Sequence, residues 1–392
     1  MDKILERIVK ATLLLVCIAV VLRIGIGRDK YQWDFAANYY AAKAYFSGQD
    51  PYDARTVSRL TDRKLLPSVY APFALFFFNI FAAADYRIAY YIYLLLKCIV
   101  LLALILLWRN RFLDRQVDAM FYILCALAFN MTIFLDLRAG NIALFEQLAM
   151  WLAFWFYLKR RYLWFCLPLV FISAFKIQPL LLLALLLFTD ERKKYIYLLG
   201  SLVAFLGIYL LPFISRPELF SSLVVKAGGF LKDGGVDHPI DNPSMLWFIQ
   251  SIAKTLFAVC GIALSEKFQL TVYLGVVILV AFVSARGLSY LRMSALKDKE
   301  KYMICLAAVA YALVNPRFKD YSYIILIVPA YFIIKKASCV KADALFFILA
   351  IIPSFPVVFN LAGSFYPLLV AIGLWCLYLY HIYNSRLMDK EH

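Results

Sequence analysis

The sequence predicts an all-α fold, a polytopic transmembrane helical bundle. Three observations carry that reading. Apolar residues make up 64% of the 392-residue chain and charged residues only 17%, too little charge to cover a soluble core of this size. The apolar residues come in continuous runs, several of them about 20 residues long, the length a helix needs to cross bilayer hydrocarbon. They do not alternate with polar residues as the strands of a membrane barrel do. Finally, the cations fall in short clusters between the runs, the pattern expected when positive loops stay on the cytoplasmic side.

Full spans are expected at 8–25, 88–108, 117–136, 142–158, 195–214, 268–285, 342–360 and 366–383. The first run is followed by no small-residue cleavage pattern and reads as a retained span. The clusters Lys3/Arg7/Lys10, Arg109/Arg111/Arg115, Lys159/Arg160/Arg161, Arg192/Lys193/Lys194, the stretch 286–301, Lys335/Lys336 and Arg386/Lys390 are expected in the cytoplasm. They impose a parity. Two runs, 70–84 and 88–108, lie between the first span and Arg109, and only one of them can cross. The first is shorter and contains Pro72 and Asn79, so it is expected as an interfacial or re-entrant outer helix inside a first outer loop, 26–87. By the same logic 268–285 crosses and 243–256 is interfacial. A second large outer loop then covers 215–256 and opens on a long polar segment, 215–242, holding Gly228, Gly229 and His238.

Two regions between basic clusters are too short for two full spans. One is 162–189, broken at Lys176-Ile177-Gln178-Pro179; the other is 302–334, broken at Asn315-Pro316-Arg317-Phe318-Lys319-Asp320. Each reads as a hairpin of two short helices, with a single tilted helix as the rival for 162–189. Irregular backbone at membrane depth survives only where protein or a wet cavity surrounds it, so both tips should line a cavity. The expected total is about twelve spans or half-spans in one integral domain, 1–392, with both termini inside.

The net charge of +16 invites a nucleic-acid partner, but cations parcelled between spans suit membrane lipids instead. No nucleic acid is expected. The eight cysteines form no CxxC pair, so no metal site is indicated, and no Walker A, GxGxxG or GxSxG motif appears. No cofactor is expected.

The residues that could carry chemistry are few. Asp34 follows the first span, ahead of an amphipathic stretch in which Phe35, Tyr39, Ala42 and Phe46 share a face and Gly48 is a stop. A carboxylate at the membrane boundary can serve as a base; it can also simply cap the helix. Asp50 and Asp53 flank Pro51-Tyr52 as turn residues do. Lys176 stands inside an apolar run of more than twenty residues, where a lysine is expensive and marks a functional site unless it snorkels to the surface. If the two hairpin tips share the outer cavity, Lys176, Arg317 and Lys319 form a cationic cluster suited to a phosphate, with Asp320 beside it. The turn Arg138-Ala139-Gly140-Asn141 offers Arg138 and Asn141 as a further donor pair, and Glu146 is expected to pair with Arg138 or with Lys176.

In order along the chain, these blocks resemble glycosyltransferase family 87 of the C-type membrane glycosyltransferase superfamily. Asp34-Phe35, Tyr39-Tyr40-Ala41-Ala42, Gly48 and Pro51-Tyr52 resemble its opening block. Tyr70-Ala71-Pro72, Gly140-Asn141, Lys176-Ile177-Gln178-Pro179, Asn242-Pro243-Ser244 and Asn315-Pro316-Arg317 are similar to its later ones, with a glutamine missing before Asn141 and Asn315 standing where the family has serine. The resemblance implies a C-type glycosyltransferase-like fold. It implies Asp34 as catalytic base, with Lys176 and the 316–320 tip near the donor phosphate. It also implies mannosyltransferase-like transfer of a hexose or pentose from a polyprenyl-phosphate sugar donor to a glycan or glycolipid acceptor. Tyr39, in the opening block, is a candidate substrate contact. Nucleotide sugars are cytoplasmic, so a site facing outward, in the bacterial inner (plasma) membrane, suits a lipid-borne donor. The rival functions are a lipid or solute transporter or flippase, and a glycan polymerase or ligase using 215–242.

Overall fold

A computed structural model describes residues 3–26, 32–62, 65, 68–115, 117–232, 242–336 and 365–388. Among them there is no strand, and the chain is the expected helical bundle. The helices are α1 (Lys3–Ile26), α2 (Trp33–Phe46), α3 (Ala54–Ser58), α4 (Pro72–Ala82), α5 (Tyr86–Leu107), α6 (Ala119–Ala139), α7 (Ala143–Leu158) and α8 (Tyr162–Ser173). They continue with α9 (Lys194–Ser215), α10 (Glu218–Lys232), α11 (Met245–Cys260), α12 (Glu266–Met293), α13 (Lys299–Val314), α14 (Ile327–Lys336) and α15 (Tyr366–Met388). Five are long and apolar enough to cross a membrane, within α5, α6, α9, α12 and α15. The expected span 342–360, and His238, lie outside the described residues.

The local structure between α1 and α5 follows from its sequence. Pro72 opens α4 at its first turn, where its missing N–H costs nothing. The helix has 11 residues, about 16 Å at 1.5 Å per residue, far short of a crossing. Gly48, at φ +77°, follows the end of α2 two residues after Phe46. The capping role for Asp34 fails, because the helix begins two residues earlier than its periodicity suggests. Gln32 is the N-cap, and Asp34 lies inside the first turn, where its carboxylate favours the positive helix end.

Both interrupted regions are two-piece. After α8 the backbone leaves the helix at 174–177 and resumes as a 3₁₀ helix, Gln178–Phe188, packed back on α8. After α13 it breaks at Asn315 and resumes as a 3₁₀ turn, Asp320–Leu326, continuous with α14. Proline marks each break: Pro179 lies in the first turn of the 3₁₀ helix, and Pro316 follows Asn315, which it holds in the extended region.

Three expectations need correction. The polar segment 215–242 is not a plain loop, since α10 occupies much of it. Leu219 and Leu223, one turn apart, give the helix a buried seam, and Glu218 opens it favourably. Crossing helix α12 runs well beyond 285, carrying Arg286 and Arg292 on its last turns. And α6 is broken at 128–131, where Phe129, Asn130 and Met131 all sit near φ +60°. No glycine or proline announces that break.

Among the described residues, the segments 114–118, 160, 190, 292–301 and 335–336 are joined by ion pairs at one end of the bundle. Lys301 binds Asp114 at 2.7 Å and Asp298 at 3.6 Å, and Lys336 binds Asp298 at 3.1 Å. Lys335 binds Asp118 at 2.7 Å, Arg292 binds Asp190 at 2.6 Å, and Arg160 lies 3.9 Å from Glu300. Exposed pairs of this kind contribute little stability. Their value here is topological: the loops the charge rule put together share a face. A continuous buried cluster runs from Phe35 to Ile382, with Phe35 stacked on Tyr93 at 4.3 Å, while Leu95, Leu102, Leu199 and Ile278 stay on the lipid-facing outside.

Candidate active site

The other end holds the candidate site, and the turn between α6 and α7 is its pivot. Gly140 closes α6 in the left-handed region at φ +69°. The start of α2 presses against it. A Cβ built on Gly140 would collide with the Cβ of Gln32 and lie 2.9 Å from that of Phe35, while Gln32 Nε2 donates to the Leu137 carbonyl at 2.6 Å. Glycine is therefore required on two counts, conformation and approach. Gly140→Ala should cost at least about 1–2 kcal/mol from the backbone alone and should displace the start of α2. The expected result is a lower melting temperature together with lost activity; unchanged values of both would show that α2 does not depend on this contact.

That close approach puts Asp34 over Asn141. Asn141 Nδ2 donates to Asp34 Oδ2 at 2.7 Å, and the Tyr321 hydroxyl reaches the same oxygen at 3.3 Å. On its other side, Asn141 Oδ1 accepts from Lys176 Nζ at 3.1 Å. An ammonium only donates and a carboxylate only accepts, so these neighbours fix which way the amide points. One side chain thus joins the Asp34 carboxylate to the Lys176 amine. Lys176 also pairs with Glu146 at 2.7 Å and lies over the Tyr321 ring at 5.5 Å. Of the two partners expected for Glu146, Lys176 is the one it meets. Glu146 is 4% exposed and further accepts from the Tyr311 hydroxyl at 3.3 Å.

Tyr70 completes the floor. Its hydroxyl lies 3.4 Å from Asn141 Nδ2. Burial, reinforced by the Asp34 and Glu146 carboxylates, raises its pKa well above the usual phenol value, so it remains a neutral hydroxyl. Asn38 Nδ2 donates to the Asp34 carbonyl at 2.8 Å, and Ser68 donates to Asn38 Oδ1 at 2.9 Å, tying α2 to the segment before α4.

The second hairpin tip closes over this floor. Thr132 Oγ1 donates to the Asp320 carbonyl at 2.6 Å. Ser244 Oγ donates to the Pro316 carbonyl at 2.7 Å, and the Phe318 N–H donates to Asn242 Oδ1 at 2.9 Å. The 242–244 and 315–318 segments therefore brace each other. Arg317 is half-buried and within electrostatic reach of the Tyr70 and Tyr321 hydroxyls. Lys319 and Asp320 follow it, half-buried at the start of the 3₁₀ turn.

Two expected substrate contacts stand apart from this cluster. Tyr39 is fully buried and its hydroxyl donates to the Ala84 carbonyl at 2.6 Å, so it anchors α2 on the turn before α5. Arg138 is exposed and lies over the Trp33 ring at 5.9 Å. It sits on the last turn of α6, whereas Asn141 lies beyond the Gly140 reversal. The sequence reading missed Tyr70 and Tyr321 as site residues. It also missed the pair Lys97 and Asp136, which meet at 2.8 Å beneath Asn141 with no exposure at all. Lys97 carries the same signal that singled out Lys176, a lone lysine in a long apolar run.

No curated protein and no solved structure matches the chain. A family model does: that of glycosyltransferase family 87 matches residues 69–317, from the residue before Tyr70 to Arg317. The match takes in Asn141, Glu146, Lys176 and the 315–317 segment, and it begins beyond Asp34. It covers more than half of the chain, which thus belongs to glycosyltransferase family 87 as a membrane glycosyltransferase.

Proposed function

We propose that the protein moves a hexose or pentose from a polyprenyl-phosphate donor to a hydroxyl of a glycan or glycolipid at the outer side of the bacterial inner membrane, with inversion. The observation that carries this reading is the Asn141 bridge, because it sets a carboxylate and an ammonium on either side of one amide. Asp34 is the base. Its Oδ2 holds the Asn141 and Tyr321 bonds, and Oδ1 takes the acceptor proton. The acceptor oxygen then bonds to the anomeric carbon as the bond from that carbon to the phosphate oxygen breaks. The electron pair leaves with the lipid phosphate, where Lys176, Arg317 and Lys319 stabilise the growing charge. Lys176 keeps one contact with Glu146, and the phosphate supplies its second anion. Tyr39 and Arg138 have no part in this scheme.

Sidedness supports the lipid donor. The candidate site lies at the end of the bundle away from the ion-paired basic loops, which the charge rule assigns to the cytoplasm. A donor carried in the membrane reaches that end without crossing. Purified protein offered radiolabelled polyprenyl-phosphate sugars should move label to an added acceptor and invert the anomeric configuration. Transfer from nucleotide sugars alone, or lipid flux in proteoliposomes without transfer, would refute the reading.

A further inference from the structure

We infer that Lys97, with Asp136, is a positioning residue for the reaction, acting through the backbone of Asn141; this rests on the function just proposed. Lys97 sits midway along α5, fully buried, and the scheme above does not use it. All three of its ammonium hydrogens find acceptors. They go to Asp136 Oδ2 at 2.8 Å, the Asp136 carbonyl at 2.6 Å and the Asn141 carbonyl at 2.7 Å. Tyr93 adds a bond to the same Asn141 carbonyl at 3.2 Å. Asp136 Oδ2 in turn accepts from the Leu144 N–H at 3.3 Å, at the start of α7. The pair therefore clamps the turn from both ends, before Gly140 and after Asn141.

Stability alone does not account for it. Burying two charges carries a desolvation cost that apolar residues of similar volume avoid, and such replacements are often neutral or stabilising. What an apolar pair lacks is the donor to the Asn141 carbonyl. That carbonyl belongs to the residue whose side chain spaces Asp34 from Lys176. With left-handed Gly140 beside it, the carbonyl keeps only the longer Tyr93 bond at 3.2 Å once the Lys97 donor at 2.7 Å is removed. The Lys97 ammonium also lies at the C-terminal end of α6, where a cation is favoured by the helix dipole and the free carbonyls.

Lys97→Met keeps the methylene stem and removes the donors. It should lower kcat by about 10²-fold, the usual consequence of a small displacement of reacting groups, with the donor KM changed by less than about threefold because Glu146 and Arg317 still hold their places. In an Asn141→Ala background the same substitution should cost no more than about twofold, since the side chain that the clamped backbone positions is gone. Lys97→Met/Asp136→Leu removes the unpaired charge and should restore the melting temperature without restoring kcat. Hydrogen exchange provides a readout independent of the donor: amides at 139–145 should exchange faster in the double variant while those of α13 do not change. Wild-type kcat in the double variant, or equal losses with and without Asn141, would overturn the assignment. If the wild type transfers no sugar from any polyprenyl phosphate, the proposed function falls and exchange decides alone. Faster exchange at 139–145 would then sustain the clamp, and unchanged exchange would remove it.

Discussion

Asp34→Asn should lower glycosyl transfer by about 10²–10⁴-fold, the range a positioned general base contributes, while the protein folds and melts as before. The substitution is nearly isosteric. An asparagine oxygen at this position still accepts from Asn141 Nδ2, now 2.7 Å from the carboxylate, so the bridge to Lys176 has no reason to open. The helix start is not at stake either, because Asp34 does not cap α2 and Gln32 makes the contact with Leu137. What is lost is an oxygen basic enough to take a proton. Asp34→Glu should fail nearly as badly: one more methylene pushes the carboxylate into Asn141 or away from it, and reacting groups tolerate displacements well below that length. Initial rates with the donor that the wild type uses, alongside melting temperatures in the same detergent, separate the two effects. Transfer within about tenfold of wild type in Asp34→Asn would take Asp34 out of the chemistry.

Much of this arrangement is written in the chain at low resolution. Runs of apolar residues and the cation clusters between them give the bundle, the short helix at Pro72 and the two interrupted regions. Isolated charges in apolar surroundings give Lys176, and the location of Asp34 after the first span gives its candidacy. The finer parts depend on orientation, which periodicity does not encode. Arg138 and Asn141 look like one donor pair in sequence, yet the left-handed turn at Gly140 sends Arg138 outward over Trp33 and Asn141 inward. Tyr39 shares a face with Phe35, and that face turns out to be the one packed against α4 and α5. In 215–242 the paired glycines suggest a loop, while Leu219 and Leu223 give α10 enough of an apolar seam to form. The break of α6 at Phe129 has no local signature. It lies beside the second hairpin, with Phe129 stacked on Tyr323 at 6.0 Å and Thr132 bonded to Asp320, so its cause is tertiary.

Lys176→Met should do two kinds of damage that a second substitution separates. It leaves Glu146, 4% exposed, as an unpaired buried carboxylate, and breaking one side of a buried pair destabilises by about 3–5 kcal/mol. It also removes a cation from the leaving phosphate, a loss of about 10²–10³ in rate for one such group. Lys176→Met/Glu146→Gln removes the stranded charge while keeping an acceptor for the Tyr311 hydroxyl, which now bonds Glu146 at 3.3 Å. Most of the melting temperature should return in the double variant, and transfer should stay low. Glu146→Gln alone tests the same claim from the opposite side. It leaves the ammonium with Asn141 Oδ1 and no anion, so a bound lipid phosphate becomes its only counter-charge and should raise the melting temperature more than it does in the wild type. If transfer returned with stability in Lys176→Met/Glu146→Gln, Lys176 would be no more than the counter-charge of Glu146, and the phosphate would have to be held by Arg317 and Lys319 alone.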